Sequence, residues 1–327
     1  AAHTHLCPDH GPLAAWLPLR KQSLKSLHIN GWADPAACLD ALDLRALGVD
    51  YVSQHDPVFK RIETQTSLVY LSLDNLDPLD TQSESFVIPQ HDFLPCFQGL
   101  QHIWIQEMSD MCLSTLTASF CSLQSLYGAG QGTLSNVSVV PFLNKFTMLT
   151  TLSLAHQATL CGPEIIEGLA ALQGLQYLDL AEAVADFQDP EPLGRLLKRY
   201  SQLQVLFVGK VDDHTIITAL KSNPRLREIS IYCMDSELIH GECFRFMREH
   251  CADQIMALEV DESLRDLPDF KALEDYLPHL DTHLCHARHR ELFFGVPEPS
   301  PMVDLTYYEP HQEDPPQAPT HQITVIE

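Results

Sequence analysis

Leu149-Thr150-Thr151-Leu152-Ser153-Leu154 and, 26 residues on, Leu175-Gln176-Tyr177-Leu178-Asp179-Leu180 spell the same apolar triad, L-x-x-L-x-L. Outward from this pair the triad recurs as Leu24/Leu27/Ile29, Leu44/Leu47/Val49, Leu68/Leu71/Leu73, Leu100/Ile103/Ile105 and Leu123/Leu126, the last with Gly128 in third place. Beyond the pair come Leu203/Leu206/Val208, Leu226/Ile229/Ile231 and Ile255/Leu258/Val260, with a degraded copy at Leu280/His283/Cys285. First positions are 20, 24, 32, 23, 26, 26, 28, 23, 29 and 25 residues apart, and most of these steps fall in or near the period of leucine-rich repeats, ~20–29 residues. The last two apolar positions of each triad alternate, as a short strand buried on one face requires.

Between triads the periodicity turns helical. Pro163 to Leu172 opens with proline and acids, and Leu193 to Tyr200 sets three leucines on one face with Lys198 and Arg199 at its end. Asp213 is placed to cap a helix through Ile216, Ile217 and Leu220 that stops before Asn223-Pro224, and Cys243 to His250 is a further helix. One such unit cannot bury its own apolar face. Stacking the units gives an α/β leucine-rich repeat solenoid of about ten irregular repeats, with parallel strands on the concave face and helices on the convex face. The expected organisation is a partial repeat or cap over 1–23, the solenoid over 24–290, and a proline-rich acidic tail over 291–327, read as disordered or loosely docked. Asp74 to Gln98, in the longest step, reads as a surface loop.

The chain carries 44 acidic and 20 basic side chains among 327 residues, a formal net charge of −24. That balance excludes a nucleic-acid or anionic-membrane binder, which needs basic surface. No apolar run approaches the ~18–20 residues of a membrane helix. The ten cysteines stand at scattered spacings with no C-x-x-C pair, reading as buried thiols of a cytoplasmic or nuclear protein. From Met111 to Pro163 the one Lys, Arg, Asp or Glu is Lys145, whereas 201–327 holds 23 of the acids.

In a strand, the residues flanking the second apolar position project to the opposite face from it. The rule defines two columns on the concave face. One runs Ser26, Tyr70, His102, Ser125, Thr151, Tyr177, Val205, Glu228, Ala257; the other His28, Ser72, Trp104, Tyr127, Ser153, Asp179, Phe207, Ser230, Glu259. Large rings on a nominally open face mark a contact surface. The expected site for a protein partner is therefore Tyr70, His102, Trp104, Tyr127, Tyr177, Asp179 and Phe207. The alternative is that the rings pack laterally and stabilise the strands. No catalytic, cofactor or metal site is expected: G-x-S-x-G and H-E-x-x-H are absent, and Gly128-Ala129-Gly130-Gln131-Gly132 lacks the spacing of a phosphate loop. His3/His5/Cys7/His10 and His279/His283/Cys285/His286 read as structural or surface residues, with metal ligation as the other reading.

The irregular repeat lengths, and phrases such as Leu220-Lys221-Ser222-Asn223-Pro224-Arg225-Leu226-Arg227-Glu228-Ile229-Ser230-Ile231, resemble the repeat regions of F-box proteins, particularly divergent fungal ones, within the ribonuclease-inhibitor-like superfamily. The resemblance covers roughly 24–285. It implies a repeat region that holds the substrate of a ubiquitin ligase, with an F-box helix bundle upstream that binds the ligase adaptor. No F-box stands in this sequence, since Trp16-Leu17-Pro18-Leu19 is followed by basic residues instead of Pro-x-Glu/Asp, and the chain reads as a fragment. Trp32, Leu76, Met108, Gln157 and Ala183 occupy the place of the Asn or Cys ladder of regular repeats. A stand-alone scaffold or inhibitor is the second reading. A GTPase-activating repeat protein is the third; it requires an arginine presented at a repeat edge.

Overall fold

A computed structural model describes residues 26–30, 39, 43–50, 65–74, 99–106, 108–129, 134–155, 157, 160, 162–181, 190–231, 238–277 and 322–326. Ten strands run parallel in sequence order: β1 (Ser26–Asn30), β2 (Ala46–Asp50), β3 (Tyr70–Asp74), β4 (His102–Gln106), β5 (Ser125–Ala129), β6 (Thr151–Ser153), β7 (Tyr177–Leu180), β8 (Val205–Val208), β9 (Glu228–Ile231) and β10 (Ala257–Val260). Their register is that of the triads. Leu27, Leu47, Leu71, Ile103, Leu126, Leu152, Leu178, Leu206, Ile229 and Leu258 stand side by side as one row of second apolar positions. From Leu47 onward every member is wholly buried. Burying each leucine is worth roughly 1.5–3 kcal/mol, and a one-residue slip of any strand would turn its row outward, so the pattern pins the register.

Helices α1 (Asp110–Ser119), α2 (Asn136–Lys145), α3 (Pro163–Ala170), α4 (Pro190–Leu197), α5 (Asp213–Ser222) and α6 (Glu242–His250) form the second layer, each packed on the next. The short α7 (Glu262–Arg265) and α8 (Pro268–Tyr276) close the C-terminal end, α8 resting on α6. Helices need ~8–10 Å of lateral room and strands ~4.8 Å, so the stack curves with its strands inside. The expected surface loop at 75–98 and the degraded triad at Leu280 lie outside the described residues.

Two sequence irregularities have local causes. Gly128 stands in a third-apolar place because the Met108 side chain fills that space; a Cβ there would meet its Sδ and Cε at 3.4 Å. Met108 is itself fully buried. The cap of α5 is Asp212, whose carboxylate accepts from Thr215 N at 2.7 Å, one residue before the expected Asp213.

Asp213 instead reaches across to the next repeat, accepting from His240 N and Cys243 N at 2.7 Å each, beside the start of α6. Asp110 holds the equivalent place in α1: it accepts from Ser135 N (2.7 Å), Ser135 Oγ (2.6 Å) and Ser138 Oγ at the start of α2. Burial pushes the Asp110 carboxyl up, but the hydroxyls of Ser135 and Ser138 and the Ser135 N–H outweigh it and hold the group below its ordinary range. At the other helix ends, Tyr200 Oη donates to Leu169 O at 2.9 Å and Asn223 Nδ2 to Leu197 O at 3.1 Å. The starts of α2 and α6 and the ends of α3 and α4 therefore have polar groups satisfied from a neighbouring repeat. Gln157, in one of the ladder places, accepts from Leu134 N at 2.9 Å in the preceding repeat. Gln65 joins Leu44 N and Leu39 O in the same way.

Within the stretch read as tail over 291–327, Gln322–Ile326 forms β11, antiparallel to β1, with Leu27 opposite Val325 and Ile29 opposite Ile323; residues 291–321 lie outside the described residues. The β-branched run Ile323-Thr324-Val325-Ile326 suits a strand, and β1 offers it the otherwise unpaired edge of the sheet.

Asp213→Ala leaves two N–H groups without their acceptor and is expected to lower stability by about 1–3 kcal/mol in urea unfolding. Asp212→Ala, which removes only a cap, should lose about 1 kcal/mol. A loss for Asp213→Ala no larger than that of an exposed helix position would show that the cross-repeat tie is idle.

Candidate functional site

The register places all seven expected contact residues on the strand face, on β3, β4, β5, β7 and β8. Neighbouring strands bring their rings together in pairs. Tyr70 stacks on His102 with centroids 4.2 Å apart and planes 5° apart; Trp104 stacks on Tyr127 at 3.5 Å and 7°. Tyr177 and Phe207 meet at 5.7 Å and 38°, with Val205 and Ala181 in the same apolar cluster. Rings on adjacent parallel strands are held about one strand spacing apart, which sets them face to face. The lateral packing weighed from sequence is thus present, and it makes the rings a rigid strip.

The remaining expected member has an internal task. Asp179 is fully buried; its Oδ2 accepts from Ser153 Oγ at 2.7 Å and its Oδ1 from Ala181 N at 3.0 Å. It braces β6 against β7. Further along, Ser230 Oγ donates to Glu259 Oε2 at 3.0 Å, and Glu228 and Glu259 are half-buried. The face is aromatic on β3 to β5 and again on β7 and β8, with Thr151 and Ser153 of β6 between, and acidic on β9 and β10. Both glutamates stood in the sequence columns, but the search for rings passed over them. His102 has a partner that spacing alone does not single out: its Nδ1 lies 2.8 Å from Ser125 Oγ on the next strand.

The register sets Gly48 of β2 in line with the second column, between His28 and Ser72, and that line is buried from Gly48 to Ser230 on β9, including the wholly buried Ser72 and Ser153. Trp104 and Tyr127 are each 6% exposed and Phe207 1%. The helix layer is open by comparison, with Val137 84% exposed.

Among the described residues no three His, Cys, Asp or Glu side chains converge as a metal site. The histidine and cysteine clusters near both ends of the chain lie outside the described residues. The described cysteines, Cys112, Cys121, Cys243 and Cys251, form no disulfide. Burial pushes the Cys112 and Cys243 thiols up, which keeps them protonated and unreactive. No described helix is long and apolar enough to cross a membrane.

Burial lowers the His102 pKa from its ordinary 6.5, because desolvation disfavours the imidazolium. The unfolded chain therefore binds more protons between the folded and unfolded values. The contribution of His102 to stability is full above about pH 6.5 and declines as pH falls through the folded value. Two-dimensional NMR titration should show the His102 ring titrating below 6.5, and His102→Phe should flatten the fall in stability over that window. A ring titrating at or above its ordinary value would contradict the described burial.

No family model matches this sequence, and no curated protein resembles it by sequence. Solved structures do. A chain of the crystal structure of the Rad7 and Elc1 complex in yeast superposes with a TM-score of 0.55 at 14% identity, over 75% of this chain and 63% of that one. This chain thus spans less than two thirds of that neighbour. The leucine-rich repeat protein LegL7 of Legionella pneumophila matches with a TM-score of 0.30 at 12% identity, covering 77% of this chain and 96% of that one. A leucine-rich repeat protein of Leptospira interrogans gives 0.27 at 12%, covering 81% and 94%. The strand register and the likeness at a TM-score of 0.55 agree on the fold: an unclosed α/β leucine-rich repeat solenoid.

Proposed function

We propose that this chain is a protein-recognition module that uses its strand face, serving as the substrate-recognition region of an F-box-like ubiquitin ligase receptor. The observation that carries the reading is the aromatic strip: six rings on five strands, held in three cross-strand pairs. Tyr and Trp are the side chains that most often anchor protein interfaces, and rings already fixed by stacking lose little conformational freedom when a partner arrives. The acidic end at Glu228 and Glu259 favours a partner that is basic where it meets β9 and β10. The ubiquitin-ligase part rests on the resemblance of the repeats to F-box proteins, and on a neighbouring solved structure that is itself a complex of two proteins. In this reading the adaptor is held by an F-box encoded upstream of Ala1, and the strand face holds the substrate.

Trp104→Ala and Tyr127→Ala, each checked for an unchanged circular dichroism spectrum, should lose most of the partner recovered by the unaltered chain in affinity capture with quantitative mass spectrometry. An interface anchor of this kind is worth about 2 kcal/mol or more, roughly a thirtyfold loss of affinity. Val137→Ala, on the open helix layer, serves as the control. Equal recovery by all three variants would overturn the strand face as the recognition surface.

A further inference from the structure

The edge where helices end and strands begin changes character along the stack. The helix-to-strand connections 120–124, 146–150 and 171–176 hold no Lys, Arg, Asp or Glu. From the end of α4 onward, cations gather on this edge. Lys198 and Arg199 follow α4, Lys221 stands in the last turn of α5, Arg225 and Arg227 precede β9, and Arg248 and His250 end α6. All but the half-buried Arg248 are exposed. The same three connections carry two carboxylates, Glu249 and Asp253. No described carboxylate forms an ion pair with Lys198, Arg199, Lys221, Arg225 or Arg227, while Arg248 meets Glu249 at 3.6 Å. A chain with a net charge of −24 thus presents a local cationic edge.

The helix ends do not account for this clustering. A basic side chain in a last turn offsets the helix dipole, but α1 and α3 end without one, and Arg225 and Arg227 stand beyond the end of α5. Hydrogen bonds between repeats join the three connections into one surface. Asn223 Nδ2 donates to Leu197 O at 3.1 Å, Arg225 Nη1 donates to Gln202 Oε1, and Gln254 Nε2 donates to Asn223 O and Leu226 O at 3.0 Å each. The backbone continues the link: Arg227 N donates to Gln204 O, and Met256 N to Arg227 O, at 2.8 Å each. Lys221 Nζ lies 5.0 Å from the centre of the Phe246 ring on α6. Neighbouring repeats therefore set where the charges stand. At the C-terminal end of the edge, Arg227, Arg248 and His250 share an open cleft with Met256 and Tyr276, each 59% exposed. Met256 and Tyr276 are two of the five large apolar side chains exposed among the described residues, and both fall beside the arginines. Exposed apolar groups set among charges mark a contact surface.

We propose that this edge is a second interaction surface, which takes an acidic segment of a protein partner. The partner's carboxylates meet Arg225, Arg227 and Arg248, and an apolar side chain beside them enters the cleft at Met256 and Tyr276. Arginine suits the task because its planar fork can hold a carboxylate with two N–H groups, and the Gln202 amide already fixes the Arg225 fork in place. The arrangement fits a peptide better than a nucleic acid. Glu249 and Asp253 on the edge, with Glu274 and Asp275 beside Tyr276, repel a continuous run of phosphates. A segment with a few carboxylates around an apolar residue can match the arginines and avoid these acids. The surface is separate from the aromatic strand face, so each can be tested without the other.

The test exposes the full chain to a random peptide library displayed on phage, with the same chain carrying Arg225→Ala and Arg227→Ala used for counter-selection. Peptides kept by the unaltered chain and lost by the double variant should be rich in Asp and Glu around a Leu, Met or Phe. A fluorescein-labelled copy of the most enriched peptide should bind in fluorescence anisotropy, weaken roughly tenfold with the double variant, and weaken again as salt rises. Met256→Ser should weaken it severalfold. Lys210→Ala on the strand-exit edge and Trp104→Ala on the strand face should leave it unchanged, with circular dichroism confirming that every variant is folded. A selection without acidic peptides that depend on Arg225 and Arg227 would overturn the proposal. So would a single-stranded oligonucleotide of equal charge that binds more tightly and is lost with the same arginines, since that would make the edge a nucleic-acid site. Selected peptides that respond to Trp104→Ala and not to the arginines would support the strand face and overturn the edge alone.

Discussion

The structure depends on one lateral constraint: each apolar triad must lie beside the same triad of the repeat before it. A single strand of three to five residues with one short helix cannot close a core. Ten of them in register make a continuous core that runs from Leu39 to Leu273. Stability in such a stack is a sum of weak units and strong joints, so the joints decide whether the array forms. Here the joints are polar as well as apolar. Asp110 and Asp213 tie the start of the next helix, Tyr200 and Asn223 satisfy carbonyls of the helix before, and Gln65 and Gln157 bridge backbones between repeats. Each of these groups is costly to bury alone, so each enforces a spacing between repeats that irregular loop lengths would otherwise leave loose.

The fold was legible because a period of two within each triad and a period of ~20–29 residues between triads leave few alternatives. The strand register follows from leucine positions alone, and even the defective triad ending at Gly128 falls in register. The two columns of the strand face were legible for the same reason. What each column member does was not. Asp179 looked like an outward carboxylate, but its neighbour Ser153 is 26 residues away in sequence and adjacent only after stacking. Asp213 looked like a cap for its own helix, while Asp212 takes that task and Asp213 serves a backbone 27 and 30 residues further on. Ladder positions were compared with Asn and Cys by identity, which hid the fact that Gln157 supplies the same acceptor with a longer side chain. Sequence spacing reports contacts within a repeat; contacts between repeats depend on where the turns bring side chains, which periodicity does not encode. The strand Gln322–Ile326 lies within the stretch read as tail, where β-branched residues follow the seven prolines that dominate its composition.

The strand face unites the structural and functional halves of the account. The rings that stabilise adjacent strands are also the only described large aromatic strip of the sheet, and they are closed to solvent although they lie opposite the core. A face of that kind is either a second core or a binding surface with something on it. The acidic balance then acts in two places: as a field toward the C-terminal repeats, and at Glu228 and Glu259 on the face itself.

Hydroxyl-radical footprinting of the unaltered chain tests the closed strand face most directly, because aromatic and sulfur side chains report their own access to solvent. The account predicts rapid oxidation of Met148, Met256 and Tyr276, which are 78%, 59% and 59% exposed, and strong protection of Trp104, Tyr127 and Phe207. Oxidation of Trp104 and Tyr127 as fast as that of Tyr276 would contradict it.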